Sequence, residues 1–262
     1  MPELLEHQHT FFGCLTIQRI ARPSPSEAAL NTEFDQLAAS LWHRLPEAGA
    51  RSDDVLLATS AFDLALWPRC PALDAEQRCS LQGTSKPAIC RVVPLDALQP
   101  DGVQHRVLEG RATEAHYWGS DCISPGQKPG FELVTRRLEV VHEGARAALG
   151  KRRQDLADER NAWGDRVFQL LRADLFPSPS ALERLPAGGF MTLSLVPVLI
   201  ALLEQRKLSR ARCAAFLDAQ AQLAESLLAE ANAHGHADRD TVRRLAAYAR
   251  ANAALRSQLK DD

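Results

Sequence analysis

Arg69-Cys70-Pro71-Ala72-Leu73-Asp74-Ala75-Glu76-Gln77-Arg78-Cys79-Ser80-Leu81, followed by Lys86-Pro87-Ala88-Ile89-Cys90-Arg91-Val92-Val93-Pro94-Leu95, is the stretch that sets the architecture apart from a plain helical bundle. A fourth cysteine follows in Asp121-Cys122-Ile123-Ser124-Pro125-Gly126. Eight residues separate Cys70 from Cys79, ten separate Cys79 from Cys90, and 31 separate Cys90 from Cys122. Pro68 just before it and prolines at 71, 87, 94, 100, 125 and 129 punctuate the span 69–130, and helical periodicity disappears there. Loops of this length are uncommon inside a compact protein unless something organises them. A bound metal is one such organiser, because ligation supplies order that a small apolar core does not. Four thiolates suit tetrahedral zinc or an iron–sulfur cluster, both of which prefer soft sulfur ligands. No pair has the two-residue gap of a zinc knuckle. The spacing therefore favours a [4Fe-4S] cluster on Cys70, Cys79, Cys90 and Cys122, with zinc as the alternative. Short strands at Ile89–Val93 and Gln104–Leu108 are the only regular elements expected inside the span.

Outside it the sequence reads as helix. Ser24-Pro25-Ser26-Glu27 combines a capping serine, a proline at the first helical position and a capping-box glutamate. Leu30, Phe34, Leu37 and Leu41 then recur at helical spacing until Pro46. Ser52-Asp53-Asp54 opens a second expected helix carrying Val55, Phe62 and Leu66, closed by Trp67-Pro68. Phe131, Val134, Leu138, Val141, Ala145 and Leu149 form one stripe, continued by Leu156, Trp163, Val167 and Leu170. Phe176-Pro177-Ser178-Pro179 breaks the pattern before three further helices, at Leu195–Leu203, Phe216–Leu228 and Val242–Leu259. Ser209 and Asp240 are expected to cap the last two. The fold class that follows is mainly α. It is a helical bundle in which an irregular Cys-rich metal-binding module, residues 69–130, lies between an N-terminal helical segment, 1–68, and a C-terminal bundle, 131–262.

Composition narrows the function. Lys+Arg number 31 against 33 Asp+Glu in 262 residues, a formal charge of −2, so binding to nucleic acid through its phosphates is not expected. Lys151-Arg152-Arg153 is soon followed by Asp155, Asp158 and Glu159, the alternation of a solvated helix face. The most apolar stretch, Phe190 to Leu203, is 14 residues long and is read as a buried core helix rather than a membrane span. Met1 to Leu15 lacks the features of an export signal, which places the chain in the cytoplasm. In that reducing setting the six cysteines are not expected to pair as disulfides.

The patterns C-P-x-L-D-x-x-x-R-C-S-L and K-P-x-x-C-R-x-x-P-L resemble the second half of the motif of the YkgJ-like family of zinc- or iron-chelating proteins. The resemblance is carried by Cys70, Pro71, Leu73, Cys79, Ser80, Pro87, Cys90, Arg91 and Pro94, with Cys122 and Gly126 standing for the family's late Cys-Pro-Gly. It implies that these cysteines chelate a metal. The flagellin lysine N-methylases are similar to this family in their cysteine region, which implies a protein-modifying enzyme as an alternative. The family's early C-x-x-C-G-x-C-C cluster has no counterpart beyond Gly13-Cys14, so one four-cysteine site is expected rather than several metals. Gln82 stands where the family has tyrosine, and Lys86 where it has arginine.

Other residues are weighed against plain packing. Cys14 and Cys213 are read as buried and inert. Arg91, next to a ligand, is the candidate for a hydrogen bond to cluster sulfur or to a bound anion, with a surface arginine as the alternative. His105 and His116 are candidate substitute ligands or partly buried polar rings, while Tyr117 lies beside them. Trp67 and Trp118 are expected to shield the site. Ala187-Gly188-Gly189 is read as a loop in preference to an anion site, and His234-Gly235-His236 as an exposed turn. Glycine-rich phosphate loops, the Gly-x-Ser-x-Gly elbow and His-Glu-x-x-His are missing from the sequence. With four thiolates no coordination position stays open, which disfavours direct Lewis-acid catalysis. The expected function is a metal site with a structural or redox-sensing role, acting through a protein partner. A metal-free helical adaptor or chaperone is the remaining alternative.

Overall fold

Gly13–Arg19 alternates strictly, with Leu15 and Ile17 on one side and Cys14, Thr16 and Gln18 on the other, the pattern of a strand with two different faces. In the computed structural model this segment is β1, the inner strand of an antiparallel sheet. The structure describes residues 1–20, 28–44, 54–62, 70–76, 78–83, 85–113, 123, 126, 129–175, 184–234 and 239–261. These fall into two compact units, one of Met1–Ala21, His43–Gln82 and Glu159–Asp262, the other of Arg22–Trp42 and Gly83–Asp158. Helix dominates, so the mainly-α expectation holds, with a small sheet that the sequence reading lacks.

In the first unit α1 (Pro2–Glu6) precedes β1, which pairs on one side with β3 (Asp54–Ala61) in the register Leu15↔Thr59 and Ile17↔Leu57. β2 (His43–Arg44) flanks β3, and β6 (Phe190–Leu193) flanks the other side of β1, giving the order β2-β3-β1-β6. The helix expected from Ser52 to Trp67 is therefore corrected to strand over Asp54–Ala61. Val55, Leu56, Leu57 and Ala58 are all buried, so both faces of β3 are covered. A continuous apolar run of this kind fits a buried strand or a buried helix equally well by periodicity.

Leu15, Ile17, Val55 and Leu57 pack into the larger core with Trp163, Val167, Val198, Leu199 and Phe216. These come from a π-helical turn (Arg160–Gly164) and from α6 (Asp165–Leu175), α7 (Val196–Glu204) and α8 (Arg210–His234). Cys14 joins Phe12, Phe62, Ala224, Leu227, Leu245 and Tyr248, bringing in α9 (Arg239–Asp261). The apolar stretch read as one helix divides into strand β6 and helix α7, with Leu195 as the N-cap of α7. Ser209 caps α8 through a bond from the Arg212 amide to its Oγ at 3.2 Å. Asp240 lies in the first turn of α9, just inside the helix start. Arg256 of α9 holds both carboxylate oxygens of Asp218 on α8, at 2.8 and 2.9 Å, and this hydrogen bonding lowers the Asp218 pKa.

Gln220 is fully buried and ties the chain around Phe11 to α8. Its Oε1 accepts from the Gly13 amide at 2.7 Å, and its Nε2 donates to the carbonyls of Gln8 and Phe11. A Cβ on Gly13 would stand 2.5 Å from the Leu195 Cδ1 methyl, so any larger residue there requires that side chain to shift. Tyr248 donates to the Thr192 carbonyl on edge strand β6, and its hydroxyl also lies 2.9 Å from Thr192 Oγ1. Burial pushes the phenol above its ordinary range, which keeps the donor protonated through neutral pH. Tyr248→Phe, which keeps the ring and removes the donor, is expected to cost about 1–2 kcal/mol in thermal unfolding. An unshifted melting temperature would show that the edge does not need the bond.

The second unit holds α2 (Ala28–Leu41), α3 (Ala88–Val92), α4 (Gln104–Thr113), the hairpin of β4 (Thr135–Arg136) with β5 (Glu139–Val140), and α5 (Glu143–Glu159) up to Asp158. Three expectations change here. Ile89–Val92 and Gln104–Leu108 are helical rather than stranded, and the stripe from Phe131 begins as a hairpin, with helix only from Glu143. His142 starts that helix, its Nδ1 accepting the Ala145 amide at 3.0 Å. The alternating charges at the end of α5 are not a wholly solvated face, because Arg152 and Glu159 are buried. Expected caps and breaks at Ser24–Glu27, Pro46, Ser52–Asp53, Trp67–Pro68 and Phe176–Pro179 lie outside the described residues.

Candidate metal centre

Two of the expected ligands sit on one folded turn. Pro71 presets the backbone for a turn in which the Leu73 amide donates to the Cys70 carbonyl at 3.1 Å. Leu73 then pairs with Cys79 as an antiparallel bridge, and the Ser80 amide and hydroxyl both donate to the Ala72 carbonyl at 2.8 Å. The tip is closed by Asp74 and Arg78. The Asp74 amide donates to the Arg78 carbonyl, and the Arg78 amide donates to the Asp74 carboxylate at 2.8 Å. This local hydrogen bonding gives Asp74, Arg78 and Ser80 structural roles in holding Cys79 opposite Leu73. Cys70 is exposed and Cys79 half-buried, both as free thiols.

Cys90 sits on α3 in the second unit and is exposed. Pro87 precedes this short helix, and its carbonyl accepts the amides of Cys90 and Arg91 at 2.9 and 3.0 Å. Arg91 is exposed and its Nε donates to the Lys86 carbonyl at 2.7 Å, a bond that fixes the start of the side chain's path. Cys122 lies outside the described residues, as do His116, Tyr117, Trp118 and Trp67. His105 is half-buried, with an Nδ1 that has no hydrogen-bond partner. Among the described residues no three His, Cys, Asp or Glu side chains gather into a metal-holding group. The fit to a metal thus consists of accessible thiols on one turn and one short helix, each held by backbone and side-chain bonds, with the fourth thiol not described.

The other two cysteines differ in kind. Cys14 and Cys213 are each 0 % exposed. Cys14 Sγ lies 3.2 Å from Ser60 Oγ, which in turn is 2.6 Å from Thr16 Oγ1. Burial pushes the Cys213 thiol up to about 11, which keeps it protonated and unreactive at neutral pH. The glycines at 188 and 189 belong to a turn beside β1, where the Gly188 amide donates to the Arg19 carbonyl and the Gly189 carbonyl accepts from Arg19. The Gly235-His236 part of the C-terminal histidine pair lies outside the described residues.

The irregular chain after α3 is organised by side chains that spacing did not reveal. Gln104 is fully buried, accepting from the Asp96 amide at 3.0 Å and donating to the carbonyls of Asp96 and Gln99 at 2.7 and 2.9 Å. Arg153 of α5 donates to the Gln99 carbonyl at 2.7 Å and to the Asp101 carboxylate at 2.8 Å. A polar residue at a helix start is the only signal for Gln104 in the sequence, and it is too common to single the residue out. No described helix is long and apolar enough to cross a membrane. No protein-family profile, curated protein or solved structure matches the chain.

Proposed function

We propose that Cys70, Cys79, Cys90 and Cys122 are the thiolate ligands of an iron–sulfur cluster, with zinc as the second candidate, in a cytoplasmic protein that acts through a protein partner. The observation that carries this reading is the division of the cysteines into two populations. Cys70 and Cys79 on one turn and Cys90 on the short helix α3 are solvent-accessible, whereas Cys14 and Cys213 are sealed in the core. Cysteine packed as a small apolar residue belongs with the second pair, so the first three need another reason to face water. The likeness of their surroundings to the chelating family supports metal ligation as that reason. Ile89 and Val93, 48 % and 44 % exposed beside Cys90, support the partner. The bound group would supply cross-linking or electron-accepting chemistry, and the chain's contribution is to hold the thiols at fixed turns.

The test is metal content after anaerobic purification, read together with the visible absorption spectrum. Iron or zinc near one site's worth is expected in the unaltered chain. Cys79→Ser is expected to lose most of it, and Cys213→Ser none. Equal content in the two variants, or less than roughly one-tenth of an equivalent in the parent, would reject the proposal. Binding heat with S-adenosylmethionine would instead favour the methylase-like alternative.

A further inference from the structure

His43 occupies a niche in the first unit that is fitted to its neutral form. Its ring lies in β2, opposite Val55 of β3, and is 4 % exposed. It stacks on Phe168 of α6 with centroids 4.7 Å apart and planes 19° from parallel. Nε2 is 3.0 Å from Asp165 Oδ1, while Nδ1 is buried with no hydrogen-bond partner. A single proton on Nε2, donated to Asp165, leaves Nδ1 as an uncommitted lone pair. The π-helical turn closes the niche, since a Cβ on Gly164 would lie 3.3 Å from His43 Cε1.

The charged groups around the ring come from each neighbouring element. Asp165 on α6 attracts a proton, but its side chain is 69 % exposed and shares Oδ1 with Arg160 Nε at 3.6 Å. Arg160, from the π-helical turn, opposes protonation. Along the strands the adjacent pair is Arg44 with Asp54, Nε to Oδ1 at 3.6 Å, where Asp54 is buried. A second proton on His43 would therefore place an N–H at Nδ1 with no acceptor, in a buried position beside an arginine.

We propose that His43 is an acid-sensitive latch: the neutral imidazole holds edge strand β2 against β3 and α6, and protonation releases that strand. Burial first, then Arg160, lower the imidazole pKa below its ordinary value of 6.5, against the opposing pull of Asp165. The sign follows from linkage. The unfolded or released form takes up the proton more readily, so the latch is fully closed above about pH 6.5 and loosens as the pH falls from there through the lowered value. Release would also strip Arg44 from the buried Asp54, which makes the transition local and cooperative.

Two measurements on the full chain test this. An NMR titration of the His43 ring is expected to give a midpoint below 6.5. Amide protection factors for β2 and β3 are expected to drop about tenfold for each pH unit between 6.5 and that midpoint. His43→Gln should remove the pH dependence. Arg160→Gln should raise the midpoint and Asp165→Asn should lower it, and these two variants keep the test valid if His43→Gln fails to fold. A midpoint at or above 6.5, protection that does not move with pH, or shifts of the opposite sign would overturn the proposal.

Discussion

Glu159→Ala is expected to remove about 3–5 kcal/mol from the stability of the sheet-containing unit. The Glu159 carboxylate is the common acceptor of three buried donors. Oε2 accepts the Thr59 amide at 2.9 Å, and Oε1 accepts both the Thr59 hydroxyl and the Met1 ammonium group. The ammonium also reaches Thr59 Oγ1 at 2.6 Å, so the four groups form one closed set. Met1 and Glu159 side chains are 4 % and 7 % exposed, which removes most of the solvent screening that weakens surface pairs. Truncation leaves a charge, an amide and a hydroxyl without an acceptor, and the loss is dominated by those orphaned groups. Asp158→Ala, one residue earlier and exposed, is the control and should cost less than about 0.5 kcal/mol. Urea unfolding of both variants decides the matter, and equal midpoints would refute the role given to Glu159.

Gln104→Ala has the second-largest expected effect, about 2–4 kcal/mol in the other unit. One buried amide side chain satisfies the Asp96 amide and the Asp96 and Gln99 carbonyls. Alanine leaves the Asp96 amide and carbonyl without that partner in a part-buried space, while the Gln99 carbonyl keeps its bond from Arg153. The variant also separates two sources of order in the cysteine region. Metal ligation was the expected organiser of the whole span, whereas Gln104 and Arg153 organise the chain around Asp96–Asp101 with no metal donor involved. Amide protection over residues 95–113 should therefore survive treatment with a chelator and fall sharply in Gln104→Ala. Loss of protection on chelation, with the variant unaffected, would return the organising role to the metal.

How far the sequence could be read depended on whether burial followed a single period. α2, α7, α8 and α9 were legible because one stripe of each faces a core. β3 was not, because Val55 to Ala58 is buried on both faces and carries no alternation. β1 does alternate, but its second face is built from Cys14, Thr16 and Gln18, and the packing of Cys14 with Tyr248 and with Ala224 and Leu227 of α8 is a tertiary fact. The short strand expected at Ile89–Val93 is instead a single helical turn, Ala88–Val92, lying between Pro87 and Pro94. Cys14 and Cys213, read from the sequence as buried, are both sealed in the core. The roles of Gln104, Glu159 and His43 depend on partners 5 to 158 residues away, and no local pattern encodes such pairs.

The sheet order also sets a timetable for synthesis on the ribosome. β1 is made first, yet its register partner on one side, Leu193 opposite Leu15, follows 178 residues later. At ordinary elongation rates that is about 10 to 35 s during which β1 and β3 can already be paired while one flank of β1 stays bare. Nascent chains of this protein therefore pass through an extended interval with an open strand border, the period when holding chaperones would matter most for yield.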